Sequence, residues 1–161
     1  LGKLPLVYIK ASEFIEKLKS SKYLDSYKTE CVGQSFGGSI AQYVGLKHEI
    51  PTTIFNSLAI GSGLQLDLGD AAIAKADQLL THISVEGDFV SDNSFFDTLD
   101  YIESGIGIRT PANFGYSKSL PSAYDNIGET HGYVLGSLLT HAGLRDAKSG
   151  DELRDILKFQ A

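Results

Sequence analysis

The pentapeptide Gly33-Gln34-Ser35-Phe36-Gly37 fits G-x-S-x-G, a pattern with chemical meaning where a strand turns sharply into a helix. Such a turn holds its serine in a strained conformation, and small residues two before and two after it let the backbone pass without collision. The hydroxyl is pushed out at the end of the strand, available as a nucleophile. The N–H of Phe36, at the start of the helix, points where an oxyanion would form, favoured by the helix dipole. No G-K-[ST] follows, so a phosphate-cradling loop is excluded.

A serine nucleophile needs a base and an acid that orients it, in chain order Ser, Asp or Glu, then His. Of the histidines well beyond Ser35, His82 precedes every acid at the end of its own strand and breaks the order, while His141 stands beside Gly143, where an imidazole more often caps terminal carbonyls. His131, in Gly128-Glu129-Thr130-His131-Gly132, reads as a residue in a loop running into a helix, within reach of a strand end. Asp88 follows the run His82-Ile83-Ser84-Val85 and is the expected acid; Asp92, four residues on, is the alternative. Accepting Nδ1–H of His131, such a carboxylate fixes the tautomer that leaves Nε2 free to deprotonate Ser35.

These residues must be positioned by alternating helices and strands. Ser12 is a candidate cap for a helix that places Phe14, Ile15 and Leu18 on one face. Tyr27 to Val32 reads as a strand entering the Gly-rich turn, and a helix from about Gly38 to Lys47 faces Ile40, Tyr43 and Val44 inward until Pro51 bars its continuation. Thr52-Thr53-Ile54-Phe55 is the next strand, followed by a turn at Gly61-Ser62-Gly63. A helix capped by Asp70 and bearing Ile73, Ala76 and Leu80 then leads into the strand His82 to Val85. This alternation is the signature of βαβ units: an α/β fold with a largely parallel sheet flanked by helices, whose ligands bind at the carboxyl ends of the strands.

From Phe89 to Tyr124 the periodicity is weak, and seven of the chain's aromatics lie among Gly, Ser, Asn and Pro. They read either as plugs packed on the core or as the wall or lid of an apolar pocket, in which Phe89, Phe95 and Phe96 would bind substrate. A helix from about His131 to Ala142 carries Val134, Leu135, Leu138 and Leu139. A last one opens with the capping box Ser149-Gly150-Asp151-Glu152 and buries Leu153, Ile156 and Leu157.

Composition narrows the classes. With 161 residues, 42% apolar and 21% charged, the chain has the balance of one globular domain over residues 1–161. A net charge of −6 gives no general attraction for phosphate backbones, so no nucleic-acid partner is expected. No apolar run approaches the roughly 18 residues that span a bilayer. Cys31 is the only cysteine, which excludes an intramolecular disulfide and a multi-thiolate zinc site. Residues 61–104 are strongly acidic, with Lys75 the lone base, but their spacing matches no calcium-binding loop and reads as a solvated face.

Taken together, the run CVGQSFGGSIAQYVGLKHEIPTTIFNSLAIGSG, then HISVEGDFVSD, then IGETHGYVL resembles the lipase-like branch of the α/β-hydrolases, closest to class-three triacylglycerol lipases and phospholipase-like proteins. The features carrying the likeness are the serine turn with its small-residue helix, a strand ending in Phe55-Asn56, a strand ending in Asp88-Phe89-Val90, and a late histidine. They appear in that order over about residues 27–142. The resemblance implies a serine ester hydrolase acting on lipid or other acyl esters, with catalytic Ser35, Asp88 and His131, an oxyanion donor in Phe36, no metal or cofactor, and transient contact with a membrane surface. An acyltransferase would use the same residues, and a non-catalytic binding module of the same fold is the alternative from another class. In that family a sizeable segment precedes the serine, supplying first strands and a second oxyanion donor. Here 34 residues precede Ser35 and the chain has no methionine, so a missing N-terminal segment or a second chain is expected to complete the sheet.

Overall fold

The computed structural model of the chain describes residues 4–21, 26–91, 112–134 and 137. In chain order the elements are α1 (Leu6–Lys19), β1 (Cys31–Gln34), α2 (Ser35–His48), β2 (Thr52–Phe55), α3 (Ser62–Ile73), α4 (Ala76–Leu79), β3 (Leu80–Val85), β4 (Tyr116–Leu120) and α5 (Ile127–Gly132). The four strands form one sheet in the order β1-β2-β3-β4, and each neighbouring pair is parallel. The α/β class read from the sequence is therefore the class observed.

Helix α2 lies on β1 and β2, and α1 packs on α2 rather than on the sheet. Gly45 lets α2 and β2 touch, since a Cβ there would run into the Thr52 side chain. Register puts Thr52 beside Cys31 and Leu80, and Ile54 beside Gly33 and His82, so these residues share the sheet face under α2. The core gathers Tyr43, Val44, Ile50, Ile60 and Leu64 with Tyr8 and Ile15 of α1, and a second cluster joins Leu46, Ala76 and Leu80. α2 ends where Glu49 turns left-handed (φ 56°, ψ 48°) and its N–H bonds Gly45 O, two residues before Pro51. Lys47 Nζ donates to Asp67 (2.8 Å) and to Tyr43 Oη (2.8 Å), and Tyr43 Oη donates to Asp67 (2.6 Å), which ties α2 to α3.

Several sequence expectations are corrected. The strand expected over Tyr27 to Val32 occupies Cys31–Gln34 instead, because pairing with β2 begins only at Cys31 opposite Thr52. Lys28, Thr29 and Glu30 are exposed. Ser12 caps nothing: α1 starts directly after Pro5, and Ser12 is buried inside it with Oγ 2.8 Å from His48 Nε2. The helix expected from Asp70 through Leu80 is divided. α3 is kinked at Gly69 (φ 75°, ψ 162°), α4 is a single turn, and Leu80 opens β3, hydrogen-bonded in register with Thr52.

The stretch expected to be irregular contains β4, whose residues Tyr116-Ser117-Lys118-Ser119 are exposed and whose Leu120 is buried. Among the described residues it pairs with β3 alone, from Thr81 opposite Tyr116 to Val85 opposite Leu120. His131, expected to open a helix that runs to Ala142, instead lies near the end of α5, which starts after Asn126, whose Oδ1 accepts the Glu129 N–H at 2.9 Å; of the expected helix, Val134 and Ser137 are helical. Leu135, Leu138, Leu139, His141 and the last helix lie outside the described residues. No described helix is long and apolar enough to cross a membrane.

Candidate active site

Of the two glycines that flank Ser35 in the motif, Gly33 has the close packing expected of it, whereas a Cβ on Gly37 would meet nothing. A Cβ on Gly33 would collide with the Gly37 carbonyl oxygen and sit 2.9 Å from Ala41 Cβ, so β1 and α2 meet as closely as they do only with glycine there. Gln34 is extended (φ −126°, ψ 146°), and Ser35, the first residue of α2, has φ 54°. For a residue with a side chain this left-handed conformation costs on the order of 1–2 kcal/mol. The fold sustains it by tying the turn down: Ser35 O accepts the Leu58 N–H at 3.1 Å.

Strand β3 ends in the turn Glu86-Gly87-Asp88, where Gly87 takes φ 79° and Asp88 N–H returns to Val85 O at 3.0 Å. This reversal buries Asp88 completely. Its Oδ1 lies 2.6 Å from His131 Nδ1, while Oδ2 accepts the N–H of Ser91 at 2.8 Å and its Oγ–H at 2.6 Å. The carboxylate is thus saturated with donors, and no buried side-chain polar atom among the described residues lacks a partner.

His131 Nε2 lies 2.8 Å from Ser35 Oγ. An ionised carboxylate only accepts, so Nδ1 carries the proton, Nε2 is the acceptor, and the Ser35 hydroxyl donates to it. Ser35, His131 and Asp88, chosen from the sequence by order and element ends, therefore form one continuous hydrogen-bonded chain at the carboxyl ends of β1 and β3. His131 was expected in a loop and stands in the last turn of α5 instead.

Phe36 N–H lies in the first turn of α2, where helix N–H groups have no intrahelical acceptor. Its ring is half exposed and held edge-on by Tyr8 at 6.1 Å, and Tyr8 Oη also bonds Ser39 Oγ (2.8 Å), which donates to Phe36 O (2.8 Å). Phe89 is exposed, with its ring 5.7 Å from that of His131. Of these two rings it is Phe89 that lies against the imidazole. Phe95, Phe96 and Asp92 lie outside the described residues. A cavity of about 300 Å³ opens beside the Asp88 turn between Ser84, Glu86, Ser91 and Ser119, but neither Ser35 nor His131 lines it, so it is not where a substrate of Ser35 would sit.

Three residues that sequence reasoning did not assign to the site also belong to it. Ser91 holds the acid, as above. Gln34 Nε2 donates to His131 O at 2.7 Å, and Asn56 Nδ2 donates to Thr130 O at 3.1 Å and His131 O at 3.4 Å. The Phe55-Asn56 pair was legible as the end of a strand. The positive φ of Asn56 (40°) fits a residue type that tolerates the left-handed region, but nothing in the sequence tells which carbonyls it reaches.

His82 is buried beneath α2, with Nε2 accepting the Ser57 N–H at 3.4 Å. Burial holds its pKa below the ordinary histidine value despite the opposing pull of Asp88. Among the described residues no group of three His, Cys, Asp or Glu side chains is placed to hold a metal ion. No protein-family model matches the chain, and no curated protein matches it.

Proposed function

We propose that this chain carries the catalytic triad of a serine carboxylic-ester hydrolase with an α/β-hydrolase-type fold, of the lipase or phospholipase kind. The observation that carries the reading is the hydrogen-bonded chain Asp88–His131–Ser35, with its serine in a left-handed conformation between a parallel strand and a helix. Ser35 Oγ attacks the acyl carbonyl as His131 Nε2 takes its proton, and the Phe36 N–H stabilises the oxyanion of the tetrahedral intermediate. Collapse expels the alcohol, which receives the proton from His131. Water, deprotonated by the same Nε2, then attacks the acyl-serine and releases the acid. Asp88 keeps the imidazole oriented and stabilises its cationic form.

The half-exposed rings of Phe36 and Phe89 favour an apolar acyl group over a charged one. β1 is paired on one side only among the described residues, and Val32 on it is 67% exposed. On this reading a further strand, from another segment or a second chain, covers that edge and brings a second oxyanion donor. The test is hydrolysis of p-nitrophenyl esters by the wild type and by Ser35→Ala and His131→Ala. Both substitutions should remove at least about a thousandfold of kcat, since triad members act as a unit. Ester hydrolysis that survives Ser35→Ala would overturn the assignment.

A further inference from the structure

We infer that Gln34 and Asn56 are positioning residues, a pair of carboxamides that clamp the main chain of His131 to the strand ends carrying Ser35 and Asp88. The last carbonyls of any helix have no intrahelical donor. In α5 two of them, Thr130 O and His131 O, point at the sheet and are capped by side chains rather than left to water. Gln34 is the residue directly before Ser35 and closes β1. Asn56 directly follows β2, is fully buried, donates its own N–H to Ile83 O (3.0 Å), and accepts the Val85 N–H on Oδ1 (2.9 Å), three residues before Asp88. One amide therefore measures from the histidine to the nucleophile's strand, and the other from the histidine to the acid's strand.

This matters because α5 spans only six residues, well short of the roughly 12–15 that make an isolated helix even marginally stable. Left to its own helix, the base would wander relative to Ser35. Clamped, its main chain moves with the sheet, and only the imidazole has freedom to pass a proton from Ser35 to the leaving group. Positioning of this kind acts on the reaction rather than on substrate affinity, because a misplacement of about 1 Å is enough to cost a large part of the rate.

For its kinetic consequence the inference rests on the hydrolase reading, so its test has one arm that needs no activity. Gln34 is exposed, and Gln34→Met keeps the length of the side chain while removing the donor, with little bearing on folding. In p-nitrophenyl ester hydrolysis, Gln34→Met should lower kcat about five- to tenfold with KM within twofold and an unchanged Tm, the scale of one lost hydrogen bond. Asn56→Ser, which removes both bonds to the carbonyls, should lower kcat further at equal KM in whatever fraction remains folded. In the second arm, the His131 Nδ1–H resonance is followed by NMR, and its exchange with solvent should be about tenfold faster in Gln34→Met than in the wild type. A wild type that hydrolyses no ester sinks the hydrolase reading alone, and the exchange rate still decides the clamp. Unchanged exchange, or a Gln34→Met kcat equal to that of the wild type, overturns it.

Discussion

Replacing Asp88 by Asn probes the site through a change of one heavy atom, a carboxylate oxygen for an NH₂ group. In the native chain Oδ2 takes both donors of Ser91 and Oδ1 takes the imidazole N–H. An asparagine keeps its oxygen toward the two Ser91 donors, which turns its NH₂ toward His131 Nδ1. The imidazole must then accept at Nδ1 and carry its proton on Nε2, facing Ser35 Oγ as a donor, so the base is lost from the serine while every side chain stays in place. The charge is lost as well. The Asp88 oxygen is 2.6 Å from Nδ1, which puts the carboxylate about 4 Å from the centre of an imidazolium, and at an effective dielectric of about 20 that separation is worth about 4 kcal/mol. Adding about 1–2 kcal/mol for the wrong tautomer gives a barrier increase of about 5–6 kcal/mol, or roughly 10⁴-fold in kcat. The assay is steady-state ester hydrolysis beside a thermal melt. Asp88→Asn should melt close to the wild type and be nearly inactive. Retention of more than a tenth of wild-type kcat, or a mild Asp88→Asn beside a crippling Asp92→Asn, would refute the reasoning and move the acid elsewhere.

Other outcomes follow from the same geometry. Gly33→Ala drives a methyl group into the Gly37 carbonyl at a point where neither backbone yields, so it should destabilise the chain by about 2–4 kcal/mol in urea unfolding and lower activity with it. His82 and His48 are both held below the ordinary histidine pKa, chiefly by burial, so the folded chain binds fewer protons than the unfolded one. Their contribution is complete above the unfolded value of 6.5 and is lost as pH falls from there toward the folded values; urea midpoints at pH 7.5 and pH 5.5 should show the loss, and His82→Gln should reduce it. If the exposed rings of Phe36 and Phe89 receive the acyl chain, as proposed, kcat/KM should rise from acetyl to octanoyl esters below micelle concentrations, each buried methylene adding up to about 0.8 kcal/mol. Phe89→Ala should flatten that series.

Much of this arrangement was legible in the sequence where chemistry and local pattern coincide. Thr52–Phe55 is β-branched and aromatic and is a strand as read; Gly33 marks the sharp turn because a Cβ there would strike the Gly37 carbonyl, whereas Gly37 itself has room for one; Asp88 and His131, chosen by the chain order expected of a triad, are hydrogen-bonded to each other and to Ser35. What escaped depends on partners distant in the chain. Tyr116-Ser117-Lys118-Ser119 carries no apolar alternation, and only the free edge of β3 makes it a strand. β1 starts later than its composition suggests: Tyr27 to Glu30 has strand-forming residues, but pairing with β2 begins only at Cys31. Ser12 has the side chain of a cap, yet the helix had already begun at Leu6 and the hydroxyl turned to His48 across the helix pair. Gln34, Asn56 and Ser91 act through side-chain hydrogen bonds to partners fixed only by the fold, which leave no periodicity to read.

The central claim is that Ser35 is a nucleophile activated by His131. Reaction with a fluorophosphonate, followed by intact-mass analysis and peptide mapping, tests it without any assumption about the natural ester. One adduct on Ser35 is expected, absent from Ser35→Ala and formed at least a hundredfold more slowly in His131→Ala. A native, folded chain that takes up no phosphonate, or takes it up at another residue at the same rate when Ser35 is alanine, would contradict the claim.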